Sequence, residues 1–160
     1  ALKKPFAVVA TDLGNGESIL FRTGNTGMAV RASATVPGIF KPVTITGHEY
    51  VDGGLSSPVP VRGTRQMGAD VVIAVDISAK PANQATRGTL DILLQTFTIM
   101  GQNLARFELK DADVVIRPQV GNIGGADFQA RHDSILEGEK AAQAALPQIR
   151  EAIRKASLKN

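Results

Sequence analysis

Short, wholly apolar runs alternate with longer stretches of helical spacing along this chain, and the fold must satisfy both periods. Phe6–Thr11 reads as a buried strand, Asp12–Gly16 as a turn, and Ser18–Thr23 as a strand returning antiparallel. Met28–Ala34 is short and Ala-rich; it is expected to be helical and to stop at Pro37 and Gly38. Val43–Thr46 and Glu49–Val51 read as a hairpin tipped by Gly47-His48, leading into Asp52-Gly53-Gly54. A helix is expected to open near Pro58 and Pro60 and to end at Gly68. Val71–Ile77 is the strongest strand pattern, apolar but for Asp76 and mostly β-branched. Leu90, Leu93, Leu94, Phe97, Met100, Leu104 and Phe107 then mark a helix reaching about Lys110. Asp113–Pro118 is a second buried-type strand. Ser134-Ile135-Leu136-Glu137 fits a capping box opening a C-terminal helix, which Pro147 is expected to break or kink. Lys80–Gly88 and the glycine-bearing stretch Gly121–Gln129 read as loops.

Helix, glycine, aspartate and then an apolar strand is the αβ unit of a parallel sheet. The expected fold class is therefore α/β: a three-layer α/β/α arrangement with a mostly parallel central sheet, in one domain without repeats. A buried-type strand at Phe6 has no helix or cap before it, so the sheet is expected to be incomplete on its N-terminal side.

Composition narrows the chemistry. Aromatic residues make up only 4%, so the core must rest on Val, Ile, Leu and Ala. A net charge of +3 is too small for a dedicated nucleic-acid surface. The one basic cluster, Arg150, Arg154, Lys155 and Lys159, suits the C-terminal end of a helix dipole. With no cysteine, thiol nucleophiles, disulfides and zinc–thiolate sites are excluded. No apolar run reaches the roughly 18 residues of a membrane span.

Asp52 is the carboxylate with the most informative setting. It follows a strand and precedes two glycines, which let the backbone turn sharply and let another segment or a ligand approach. Asp-Gly is also a common turn dipeptide, and on that pair alone a turn is the simpler reading.

The longer context changes the balance. "ASATVPGIFKPV", followed some ten residues later by "VDGGLSSPVPV", resembles the patatin-like phospholipases, especially the bacterial group related to neuropathy target esterase. The resemblance continues through "GADVVIAVDIS", "ADVVIRP" and "GEKAAQAALPQI". It implies a lipid acyl hydrolase, an esterase of lipid degradation working through a Ser–Asp dyad. The dyad's aspartate falls on Asp52, with Gly53 and Gly54 supporting the site. The family's G-x-S-x-G elbow and its upstream glycine-rich oxyanion loop do not occur in this sequence. The expectation is that residues 1–160 form the C-terminal portion of a single patatin-like domain. A missing N-terminal half would carry the nucleophile, and this portion alone would be inactive. The implied partners are a lipid or ester substrate and a transient membrane surface, with no nucleic acid, no metal and no cofactor. A cytoplasmic or peripheral-membrane location follows. The alternative is a split or degenerate patatin-like subunit acting as a non-catalytic binding module.

Other residues are expected to be structural. Ser33 lacks the flanking glycines of an exposed nucleophile. His48 reads as an exposed turn residue and His132 as a loop residue, and the two make no metal set. Gly121, Gly124 and Gly125 lack the Lys and Ser/Thr of a phosphate loop. Asp12 and Asp76 end strands but have no glycine pair. The apolar residues of the Leu90–Lys110 helix could line an acyl pocket, although core packing is the simpler assignment.

Overall fold

The computed structural model describes residues 3–78, 88–121, 123 and 127–158. Most of the expected Lys80–Gly88 loop, Gly124 and Gly125, and Lys159 of the basic cluster lie outside the described residues. The chain is α/β. Its first half is a four-stranded sheet and its second half a two-stranded one carrying the two long helices.

The larger sheet has strand order β2-β1-β4-β3, with β1 Val8–Asp12, β2 Ser18–Phe21, β3 Val43–Ile45 and β4 His48–Asp52. All three pairings in it are antiparallel. The parallel pairing expected of the central sheet occurs between β5 Ile73–Val75 and β6 Val114–Ile116. Connection length accounts for the two hairpins. A short turn joins β1 to β2 and another joins β3 to β4, whereas a parallel crossover takes a dozen residues or more. The parallel pair β5 and β6 is joined by such a crossover, through helix α3 at Thr89–Glu108, whereas β1 and β4, also far apart in the chain, pair antiparallel. The buried strand near Phe6 does gain a neighbour on each side, and both run antiparallel to it.

Helix α1, Thr26–Ser33, starts at Asn25, whose side chain accepts a hydrogen bond from the Met28 N–H. It lays Ala29 and Ala32 on the sheet, where Ala32 joins Ala10, Val43 and Tyr50 in a buried cluster. Short side chains there let helix and sheet approach closely. Helix α2, Val61–Gln66, ends as expected at Gly68, whose φ of 89° and N–H bond to the Arg65 carbonyl close the last turn. Val59, Val61, Val72, Ala74, Ala105 and Leu109 form a second core between α2, β5 and the end of α3.

Asp113 pins the parallel pair. It accepts from the Val72 N–H at 2.7 Å and from the Arg65 guanidinium. These two contacts, the backbone one foremost, hold its carboxyl below the ordinary range. Val114 and Ile116 then pack beneath helix α4, Arg131–Ser157.

Two expectations for α4 differ from what is found. The helix opens three residues before Ser134, so His132 is helical; its cap position, Ala130, makes no side-chain cap bond, and Asp127 instead caps the 3₁₀ turn Phe128–Ala130 that leads into it, accepting from the Gln129 and Ala130 N–H groups. Ser134 instead turns its hydroxyl back to the Ala130 carbonyl. The helix also runs through Pro147 without a break. The loss of one backbone bond is outweighed by a 27-residue helix anchored on β6 through Ala141, Ala145 and Ile149. Among the described residues, no helix is long and apolar enough to cross a membrane.

Candidate active site

The hairpin and the segment after it hold Asp52 in place. The turn between β3 and β4 is Thr46-Gly47, both with positive φ (49° and 87°), the geometry that matches the twist of a two-residue hairpin. The tip is thus one residue earlier than Gly47-His48, and His48 becomes the first residue of β4. Strand β4 runs down to Asp52, which stands opposite Ala10 of β1.

The Asp52 backbone is bonded on both sides. Its N–H donates to the Thr35 carbonyl at 2.9 Å, tying it to the end of α1. Its carbonyl accepts from the Thr11 hydroxyl at 2.8 Å. Because Thr11 has a single proton and gives it there, the 2.8 Å contact with Ser56 must have the Ser56 hydroxyl as donor. One threonine therefore secures the start and the end of the turn that follows Asp52.

That turn is a single 3₁₀ turn, Gly53–Leu55, and the Asp52 side chain caps it by accepting from the Gly54 N–H at 2.7 Å. The half-buried carboxylate is thus aimed by its second neighbour, while its other oxygen has no hydrogen-bond partner among the described residues. Both glycines are needed. A Cβ on Gly53 would lie 2.3 Å from the Val9 carbonyl oxygen, and one on Gly54 would lie 3.0 Å from Asp52 Oδ1. The pair is explained by close approach to β1 in one case and to the carboxylate itself in the other.

Sequence reasoning missed Glu108. It is buried at the end of α3, where its carboxylate accepts from the Ser57 hydroxyl at 2.5 Å and the Val59 N–H at 3.1 Å. No salt bridge to it is formed among the described residues. It anchors the far end of the Asp52 loop to α3, whose Gly101 faces the Gly54 carbonyl. The only signal in the sequence was a glutamate on the apolar face of a helix. Glu108→Ala should cost about 1–3 kcal/mol, since the buried Val59 N–H loses its acceptor. Glu108→Gln keeps an acceptor oxygen and should lose less; equal losses in urea denaturation would reject this role.

The rival carboxylates serve local structure. Asp76 accepts from the Ser78 N–H and pairs with Arg117. Asp12 is buried and accepts from the Gly14 N–H and from His48 Nδ1, both at 2.8 Å. His48 is exposed, as expected, but it is the partner of this aspartate and not a free turn residue. The Gly14 N–H, with the His48 ring behind it, holds the Asp12 carboxyl below the usual range. A depressed carboxylate contributes its stability above the unfolded-state value, about 3.9, and loses it as pH falls through the folded value. The Tm advantage of the wild type over Asp12→Asn should hold from pH 7 to about 4 and shrink below that. A pH-independent difference would reject the assignment.

Ser33 is the last residue of α1, without flanking glycines, and makes no hydrogen bond to Asp52. On α3, Ala105, Glu108 and the following Leu109 enter the core, and Leu90 and Leu93 lie beside Gly38. Phe107 is exposed beneath the Arg62 and Lys110 cations, while Ile92, Ile99 and Met100 face outward. Core packing therefore accounts for only the last turns of this helix. No cluster of His, Asp and Glu among the described residues could hold a metal ion.

Residues 3–65, which include the whole Asp52 turn, match the family described as patatin-like phospholipase. An uncharacterized NTE family protein of Mycobacterium tuberculosis is 37% identical over 81 residues, covering 51% of this chain and 22% of the relative. These matches support a patatin/NTE-type family. A second uncharacterized NTE family protein of that organism is 28% identical over 173 residues, covering 91% of this chain and 29% of the relative. Lysophospholipase NTE1 of Meyerozyma guilliermondii is 25% identical over 152 residues, or 79% of this chain and 10% of its own length. The chain thus spans less than a third of the length of each of these relatives.

Proposed function

We propose that this chain is part of a lipid acyl hydrolase, cleaving a carboxylic ester of a phospholipid or lysophospholipid through an acyl-serine intermediate. Asp52 is the general base of a Ser–Asp dyad, and residues 1–160 are the C-terminal portion of one patatin-like domain. The supporting observation is the Asp52 carboxylate itself: one oxygen is fixed by the Gly54 N–H and the other is left available. A serine hydroxyl is a weak nucleophile until a positioned base takes its proton. Asp52 accepts that proton as the hydroxyl attacks the ester carbonyl. It returns the proton to the departing alcohol and repeats the cycle with water in deacylation. The serine and the oxyanion donors come from outside these 160 residues, because no G-x-S-x-G stretch occurs within them. The lysophospholipase name of the fungal relative favours a lipid ester as substrate.

The test is a fluorophosphonate probe on the full-length protein, competed with a lysophospholipid. Labelling on a serine outside residues 1–160, suppressed by the lipid, is the expected result. No labelling of a folded full-length protein would favour the non-catalytic binding module instead.

A further inference from the structure

A second feature lies at the opposite end of α1 from Asp52. Past the pairing of Val8 with Phe21, the strands β1 and β2 leave Lys3–Phe6 beside Arg22–Gly24, next to the first turn of α1. Between them is an open cavity of about 550 Å³. Its apolar wall includes Phe6, Val8, Phe21 and Ala29, and its rim carries Lys3, Lys4 and Arg22. No carboxylate lines it. None of the three cations forms a salt bridge among the described residues, although other basic residues such as Arg62, Arg65, Arg117 and Arg154 do.

Three cations without a salt bridge among the described residues, around a recess lined by both polar and apolar groups, have a definite complement. A hydrated inorganic anion would satisfy the rim and leave the wall wet; a neutral apolar ligand would do the reverse. Only a molecule with an anionic head and a hydrocarbon tail answers both, and the volume falls within the range of small-molecule sites, about 300–1,000 Å³. We infer that this cavity binds a single-chain anionic amphiphile, its head against Lys3, Lys4 and Arg22 and the start of its chain on Phe6 and Phe21. Asp52 does not line the cavity, so the site holds a lipid anion away from the dyad and does not depend on the assignment of Asp52 as base.

The head is a carboxylate or a phosphate, and the test separates them. Binding of laurate, dodecyl phosphate, neutral dodecyl maltoside and inorganic phosphate to the full-length protein is measured calorimetrically below the micellar concentrations. At least one of the two anionic dodecyl compounds should bind ten or more times tighter than the maltoside and than inorganic phosphate. The tighter of the two anions identifies the head. Arg22→Glu should weaken that binding at least tenfold, and so should the pair Lys3→Gln and Lys4→Gln, which provides the reading if Arg22→Glu does not fold. Phe6→Ser should weaken dodecyl phosphate and leave inorganic phosphate unchanged. Equal binding of the neutral compound, inorganic phosphate binding as tightly as its dodecyl ester, or unaltered binding in the charge variants would each overturn the site. Ester turnover enters none of these readings, so failure here leaves the hydrolase proposal standing.

Discussion

Asp52→Asn in the full-length protein is expected to lower kcat for a short-chain ester by about two to four orders of magnitude, the usual contribution of a positioned general base. The fold should be unaffected. Asparagine keeps an oxygen to accept from the Gly54 N–H, and the bonds from the Asp52 N–H to Thr35 and from Thr11 to the Asp52 carbonyl are made by the backbone. No cation forms a salt bridge with Asp52 among the described residues, so neutralising the carboxylate strands no partner charge. What the substitution removes is basicity alone. Fluorophosphonate labelling of the serine should slow with kcat, because both need the hydroxyl activated, while the Tm stays near wild type. Wild-type turnover by this variant would end the dyad assignment and leave Asp52 as a turn residue.

Gly53→Ala is expected to be the most damaging single methyl group in the chain. The added carbon would lie 2.3 Å from the Val9 carbonyl oxygen and 2.9 Å from its carbon, both of them backbone atoms within a paired strand. No side-chain rotation relieves that contact. Either the 3₁₀ turn lifts off β1, breaking the Thr11–Ser56 connection, or β1 shifts against its neighbours. Overpacking of this kind costs about 1–3 kcal/mol and occasionally more, enough to lower the urea midpoint clearly in a domain of marginal stability. Gly54→Ala provides the contrast. Its methyl group meets the Asp52 side chain at 3.0 Å, which can rotate away. It should therefore spare stability and reduce turnover by turning the carboxylate off its aim. If Gly53→Ala were as stable as wild type, the close approach of the turn to β1 would be refuted.

How much could be read along the chain varied with the range of the interaction. The β3–β4 hairpin was legible because its determinants are local: a left-handed turn and apolar residues at period two. So was the end of α2, where Gly68 alone allows the closing conformation. The Asp-Gly-Gly turn was visible, but only as one meaning of a common dipeptide. The start of α4 was misplaced by three residues because Ser134 and Glu137 satisfy a capping pattern on helix interior positions, while the chain enters the helix through a 3₁₀ turn capped by Asp127. The pairing of His48 with Asp12 spans 36 positions and is a consequence of strand register, which no local pattern states. Glu108 was missed for the same reason: 51 positions separate it from Ser57.

The order of residues by itself determined which segments extend and which coil, where the backbone must turn, and which carboxylate stands before a glycine pair. Those properties follow from steric limits and hydrophobic period within a few neighbouring residues. Only the tertiary structure decided that β1 pairs antiparallel with β4, that Gly53 rests on the Val9 carbonyl, that a buried glutamate ties the Asp52 loop to α3, and that three cations border one partly apolar recess. Each of these joins groups far apart in the chain, and their meeting is set by how whole elements pack to bury apolar surface, which is a property of the assembled fold and not of any segment.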